Sequence, residues 1–279
     1  MPQWINHGPG VQIHAERIPR CCPELDGNAP PDQFAAMEIS CHQTRGEMGS
    51  AAAKAAADAL RSVLARQPAA RMIFAAAPSQ SDMLACLIKL DGIDWPRVSA
   101  FHMDEYIGLP AGAPERFAAW LDRNLFRHVP FSAVRRLDPG SDPERAAARY
   151  AAELAELPID IVCLGIGVNG HIAFNDPPVA DFNDPLDVKI VALDEICRQQ
   201  QVDDKCFAEL AAVPTHALTL TVPRLLRASK LICVVPGAQK REAVRRTLYG
   251  PVGAACPATA LRSHPDCALY LDADSNPND

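Results

Sequence analysis

Short apolar runs recur along the chain at 71–77, 98–102, 159–164, 189–193, 231–235 and 267–271, and several are separated by stretches of helical character. Runs this short suit strands, and their near-continuous apolar character suits burial on both faces. A strand that reaches its neighbour through a helix crosses over right-handed and pairs in parallel. The spacing therefore predicts an α/β fold, a doubly wound, largely parallel sheet with helices on both faces. Ligands of such sheets sit beyond the carboxyl ends of the strands. The residues that directly follow each run are thus the first place to look for chemistry.

Pro2, Pro9, Pro19, Pro23, Pro30 and Pro31 forbid long helices near the N-terminus, so residues 1–45 read as an irregular extension and 46–279 as a single domain. The Ala-rich stretch 47–67 predicts a long helix stopped by Pro68. Further helices are expected from about Asp82 and over 238–248. With 48 % hydrophobic residues in 279, the chain can bury a substantial core. It holds no apolar run of about 18 residues, so no membrane span is expected. The N-terminus lacks the basic and apolar regions of a signal peptide, which points to a cytoplasmic protein. The net charge of -7, with no dominant Lys/Arg cluster, argues against nucleic acid as a partner. An anionic metabolite then needs a locally positive site. Of the ten cysteines, Cys86, Cys163, Cys233 and Cys267 lie in apolar stretches, where a thiol acts as a small hydrophobe. Cys21 and Cys22 are the only close pair, and reduced thiols are expected throughout.

Four segments carry chemistry. After the first run, Pro78-Ser79-Gln80-Ser81 enters a helix, where backbone N–H groups and hydroxyls favour an anion. Ser81 also reads as an ordinary N-cap there. After the second run, Asp104 and Glu105 stand side by side, and in an extended chain only one of them can face the crevice. His102 and Asp104 share a face, but a metal site would need a third ligand. After the third run, Gly165, Gly167 and Gly170 let the backbone turn tightly beside a ligand, with His171 next and Asp176 five residues on. A histidine near a carboxylate is suited to proton transfer. The glycines fit a dinucleotide fingerprint, yet Pro177-Pro178 marks a loop where that motif needs a helix. After the fifth run comes Lys240, in a first helical turn that disfavours a cation unless an anion sits beside it.

Together FHMDEYIGLP (101–110), LGIGVNGHIAFNDPP (164–178), VPTHALTLTVPRLL (213–226) and VVPGAQK (234–240) resemble the glucosamine-6-phosphate deaminase family, over roughly residues 47–272. The wider group includes 6-phosphogluconolactonases, which typically lack the MDEY signature and carry Thr-Ala-Ser after the histidine. The resemblance implies a Rossmann-like fold and a cofactor-free, metal-free isomerisation with loss of ammonia. It implies that Asp104 shuttles protons at C1 and C2, that His171 opens the sugar ring, and that Lys240 binds phosphate. Asp176 and Asn169 are expected to position His171. Ser79, Gln80, Ser81, Glu105 and Gly170 are expected around the substrate. Asn169 and Asp176 stand where the family carries Asp and Glu, Ser79-Gln80-Ser81-Asp82 replaces its glycine-threonine loop, and Asp203 stands near an expected arginine. The implied partner is a small sugar phosphate, and the implied assembly a monomer or a homo-oligomer. The alternatives are a lactonase-type hydrolase and a sugar-phosphate sensor without turnover.

Overall fold

The structure is a computed structural model that describes residues 37–278 and the backbone of 15–16. The rest of the expected irregular extension, with the Cys21–Cys22 pair, lies outside the described residues.

The main sheet contains β1 (Ala15–Glu16), β2 (Glu38–His42), β3 (Ala70–Phe74), β4 (Val98–His102), β6 (Ala133–Arg135), β7 (Ile161–Leu164), β10 (Lys230–Val235) and β11 (Cys267–Asp272). Their spatial order is β1-β2-β11-β10-β7-β3-β4-β6, and every pairing except β1 with β2 is parallel. The strands are buried on both faces. Met72, Ala100, Cys163, Ile232 and Ala268 join one apolar cluster, and their neighbours Ile73, Phe101, Val162, Cys233 and Leu269 join the other. Helices α1 (Arg45–Arg66), α2 (Ser81–Leu87) and α3 (Phe117–Leu121) pack on the first side; α4 (Pro143–Ala155), α6 (Val222–Leu226) and α7 (Arg241–Tyr249) pack on the second. The alternation of side chains along each strand thus builds two cores about one sheet.

Two expectations need correction. Residues 38–42 are a strand, parallel to β11, and Thr44 caps α1 in a capping box with Glu47. The prolines that carried the expectation all precede residue 38, and regular structure is present before residue 46. The run at 189–193 is a strand, but not of the parallel sheet. It forms β8 (Val188–Ala192) in a second, antiparallel sheet with β5 (Asp104–Tyr106) and β9 (His216–Leu220), in the order β5-β9-β8. No helix separates residues 164 and 188, so the crossover that enforces parallel pairing is missing.

Small residues set the layer spacing. Ala52, Ala53, Ala56 and Ala57 of α1 are fully buried, and a Cβ on Gly49 would lie 2.6 Å from Asp82 Cβ of α2. Asp82 pairs with Arg45, which also donates to the Pro78 carbonyl. The first turn after β3 is therefore braced from α1. Among the described residues no helix is long and apolar enough to cross a membrane, and Cys86, Cys163, Cys197, Cys206, Cys233, Cys256 and Cys267 are free.

Candidate active site

From β3 the chain moves outward through β4 and β6, then returns to β7 and proceeds through β10 to β11 on the other side. The strand order reverses between β3 and β7, and a crevice opens there beyond the carboxyl ends. A cleft open to solvent occupies this place. Ser79 and Gln80 line it from the loop after β3, Asp104 from β5, Gly165, Gly167 and His171 from the loop after β7, and Lys240 from the turn after β10.

Alternation along β5 separates the paired carboxylates. Asp104 lines the cleft, is 7 % exposed, and accepts no side-chain hydrogen bond among the described residues. Burial, helped by the neighbouring Glu105 charge, holds its carboxyl well above the ordinary carboxylate range. Glu105 faces the other way and corrects the expectation of a substrate contact. It accepts from the backbone N–H groups of Tyr106 (3.0 Å), Phe117 (3.1 Å) and Ala118 (3.0 Å), and it pairs with Arg116 Nε at 3.5 Å. It serves the start of α3, where a carboxylate satisfies orphan donors. His102 is also committed: Leu137 N–H donates to Nε2 at 2.8 Å, so Nδ1 carries the proton and donates to the Asp104 carbonyl at 3.0 Å. Burial pushes its pKa down to about 4, so it stays neutral.

His171 is held by a relay that fixes its tautomer. Asn169 Nδ2 donates to Asp176 Oδ1 at 2.9 Å and to Asp194 Oδ2 at 3.3 Å. Carboxylates only accept, so the Asn169 amide group must point at them and its Oδ1 at the histidine. His171 Nδ1 lies 2.9 Å from both Asn169 Oδ1 and Asp176 Oδ1, two acceptors, and therefore bears the proton. In the neutral ring Nε2 is then the free acceptor. Burial pushes the Asp176 carboxyl up, but bonds from His171 and Asn169, and the charge of His171, outweigh it and leave it below its ordinary range. Cys197 Sγ lies within 4.8 Å of His171 and Asp176, and burial holds that thiol well above the ordinary range.

The glycines have separate tasks. A Cβ on Gly167 would sit 2.2–2.4 Å from the His171 ring, and one on Gly165 would sit 3.0 Å from Gln80 Nε2. Gly170 does not line the cleft, a correction of its expected substrate role. Its φ of +90° and a Cβ position 2.5 Å from Cys256 Sγ make it a pivot against the loop before Pro257. Ser81 is likewise outside the lining, as the first residue of α2, which is only seven residues long and follows a 3-10 turn. Gly167→Ala should leave the protein folded yet lower turnover about 10²-fold, the order expected when a catalytic group is misplaced by an ångström. Steady-state kinetics with a melting curve checks this.

Lys240 is 4 % exposed, and its ammonium has no ion-pair or hydrogen-bond partner among the described residues. Burial, against small opposing effects of Asp204 and Cys197, pushes its pKa down to about 8. The preceding turn needs Gly237, with φ of +94°, and the Asp272 carboxylate anchors the Gly237 N–H at 3.0 and 3.1 Å. Sequence reasoning missed Asp194 behind Asn169, Asp272 behind Lys240, and Gln200 and Gln201, which line the cleft from α5 (Glu195–Asp203).

A sequence model of the family described as "Glucosamine-6-phosphate isomerases/6-phosphogluconolactonase" matches residues 43–269. A glucosamine-6-phosphate deaminase of Listeria monocytogenes serotype 4a is 35 % identical over 69 % of this chain and 80 % of its own length. One from Bacillus thuringiensis is 36 % identical over 66 % of this chain and 68 % of its own. The structure of a monomeric glucosamine-6-phosphate deaminase superposes with a TM-score of 0.78 at 27 % identity, covering 86 % of this chain and 98 % of that one. A 6-phosphogluconolactonase of Thermotoga maritima shares the fold, with a TM-score of 0.69 at 17 % identity over 84 % of this chain and 98 % of its own.

Proposed function

The chain belongs to the glucosamine-6-phosphate isomerase/6-phosphogluconolactonase family, and from that membership we propose that it converts an amino-sugar 6-phosphate, glucosamine 6-phosphate or its galactosamine epimer, to a ketose phosphate and ammonia. The observation that carries this reading is the pairing in one cleft of a bare, buried Asp104 carboxyl with a His171 whose Nε2 is free. His171 takes the C1 hydroxyl proton and returns one to the ring oxygen, which opens the pyranose to the aldehyde. Asp104 removes the C2 proton, the substrate's C2 ammonium gives up a proton to the C1 carbonyl oxygen, and an enolamine forms. Asp104 then protonates C1, leaving a C2 iminium that water hydrolyses to the ketose and ammonium. Atoms balance with one water consumed, and the two transfers at carbon are general acid–base work for a carboxyl that burial holds well above the ordinary carboxylate range.

Lys240, with Ser79 and Gln80, is proposed to hold the phosphate, and Asn169 and Asp176 to position His171. Apart from Lys240, the lining offers neutral donors, which supplies the local positive site that a chain of charge -7 needs. The inferred setting is cytoplasmic, where sugar phosphates and reduced thiols occur together.

The test is ammonia release from the purified protein, with glucosamine 6-phosphate and galactosamine 6-phosphate offered separately and hydrolysis of 6-phosphogluconolactone run in parallel. Ammonia from one epimer is expected. Lactone hydrolysis without ammonia would replace this reading.

A further inference from the structure

The polar lining of the cleft holds one cation and more than one idle acceptor. Among the described residues Lys240 is its only lysine or arginine. Gln80 Nε2 donates to Ser79 Oγ and to the Val234 carbonyl, both at 3.2 Å, while Gln80 Oε1 is buried without a partner. Gln200 is fixed, since its Oε1 accepts from Val168 N–H at 2.9 Å and its Nε2 donates to Asp204 at 3.2 Å. Gln201 lines the cleft, is 7 % exposed, and its carboxamide has no partner among the described residues. The charged and titratable groups facing Lys240 are Cys197 of α5 and Asp204 directly after it, with Asp104 and His171 across the same cleft. None of them is a second lysine or arginine to serve an anion, and His171 is taken up by Asn169 and Asp176 on one side and assigned to the sugar ring on the other.

A phosphate ester at neutral pH carries close to two negative charges, because its second pKa is about 6. Lys240 compensates one. The second would be buried without a counter-ion and near the Asp204 carboxylate, which is a costly placement. A phosphate that keeps one proton avoids that cost and brings a P–OH donor, which a buried amide oxygen otherwise lacks.

We propose that this cleft binds its substrate's phosphate as the singly charged hydrogen phosphate ester, with Lys240 at the charged oxygens and the P–OH donating to a glutamine carboxamide oxygen, Gln80 Oε1 or Gln201 Oε1. The neutral glutamine side chains, where a second cation would otherwise stand, then determine specificity for the ionisation state of the ligand. This rests on the reading of the site as one for an amino-sugar phosphate.

The probe is glucitol 6-phosphate, which has neither amine nor carbonyl to react, measured by calorimetry in buffers of different ionisation enthalpy. Binding at pH 7.5 should take up close to one proton per site, and affinity should fall about tenfold per pH unit above 6.5, as the monoanion fraction does. Glucitol 6-sulfate, singly charged at every pH used, should show neither the uptake nor that slope below pH 7.5. Any uptake by Lys240 itself would appear with both ligands, so the difference between them isolates the phosphate proton. Gln201→Arg adds a cation and should abolish the uptake while tightening phosphate at pH 7.5 at least tenfold. Equal proton uptake for the two esters, or phosphate affinity flat from pH 6 to 7.5, overturns the proposal. Ammonia release without phosphate-specific uptake would sink this inference alone; uptake without ammonia release would sink the deaminase reading alone.

Discussion

Asp104→Asn is expected to lower kcat by about 10³-fold or more, within the range that a positioned acid–base group supplies for two successive transfers, while KM stays within a few-fold. Both proposed carbon proton transfers pass through this one carboxyl, and the lining offers no other carboxylate to substitute for it. An amide of the same shape can neither take the C2 proton nor deliver one to C1. The variant should also be more stable than the parent at neutral pH, and the sign follows from linkage. The Asp104 carboxyl is raised in the folded state by burial and by Glu105. The folded protein therefore binds the proton more tightly than the unfolded chain, and stability falls as pH rises from about 4 toward the folded pKa. Asparagine removes that loss. Melting temperatures of the two proteins should coincide near pH 4 and separate in favour of the variant by pH 7.5. An active Asp104→Asn enzyme, or one that melts earlier at pH 7.5, contradicts the role given to this residue. Stability given up at a reacting group is a common cost of function.

Five strands of the parallel sheet, β3, β4, β7, β10 and β11, were legible because buried strands leave apolar runs, and the turns after them because glycine, proline and serine mark turns; β2, read as part of an irregular extension, and the three-residue β6 were not. The run at 189–193 looked the same in sequence but sits in the antiparallel sheet, since pairing direction depends on what connects the strands. Asp104 and Glu105 illustrate a second limit. Alternation says that one of the two faces the crevice, and only the docking of α3 on Glu105 decides which. Gly170 and Ser81 belong to site loops in sequence, yet one meets Cys256 and the other starts a helix. Asp194 and Gln201 were illegible for a further reason. They reach the site through α5, whose placement against the loop after β7 is a tertiary matter that no local spacing encodes.

Lys240→Met should raise KM for the sugar phosphate at least about 10²-fold, with a much smaller change in kcat, because truncating one partner of a buried charge pair costs roughly 2–5 kcal/mol and the phosphate takes no part in the proton transfers. The same change should stabilise the free protein. Burial lowers the Lys240 pKa from 10.5 to about 8, so between those values the unfolded chain holds the proton that the folded protein has lost. Parent stability accordingly rises with pH across this window, and the cost of the buried ammonium is fully present below pH 8. Methionine fills a similar volume without that charge, a gain of at most about 3 kcal/mol at pH 7, and the gain should shrink toward pH 10.5. Calorimetric melting at pH 7 and pH 10 reads the stability, and initial rates against substrate concentration read the binding. A variant that loses KM but melts earlier at pH 7 would mean that Lys240 has a partner in the fold and that the free cation of the cleft lies elsewhere. A variant with unchanged KM would move the phosphate away from the switch point between β3 and β7. Loss of binding together with a higher melting temperature is the outcome expected of a cation held in the fold at the protein's expense for the sake of an anionic ligand.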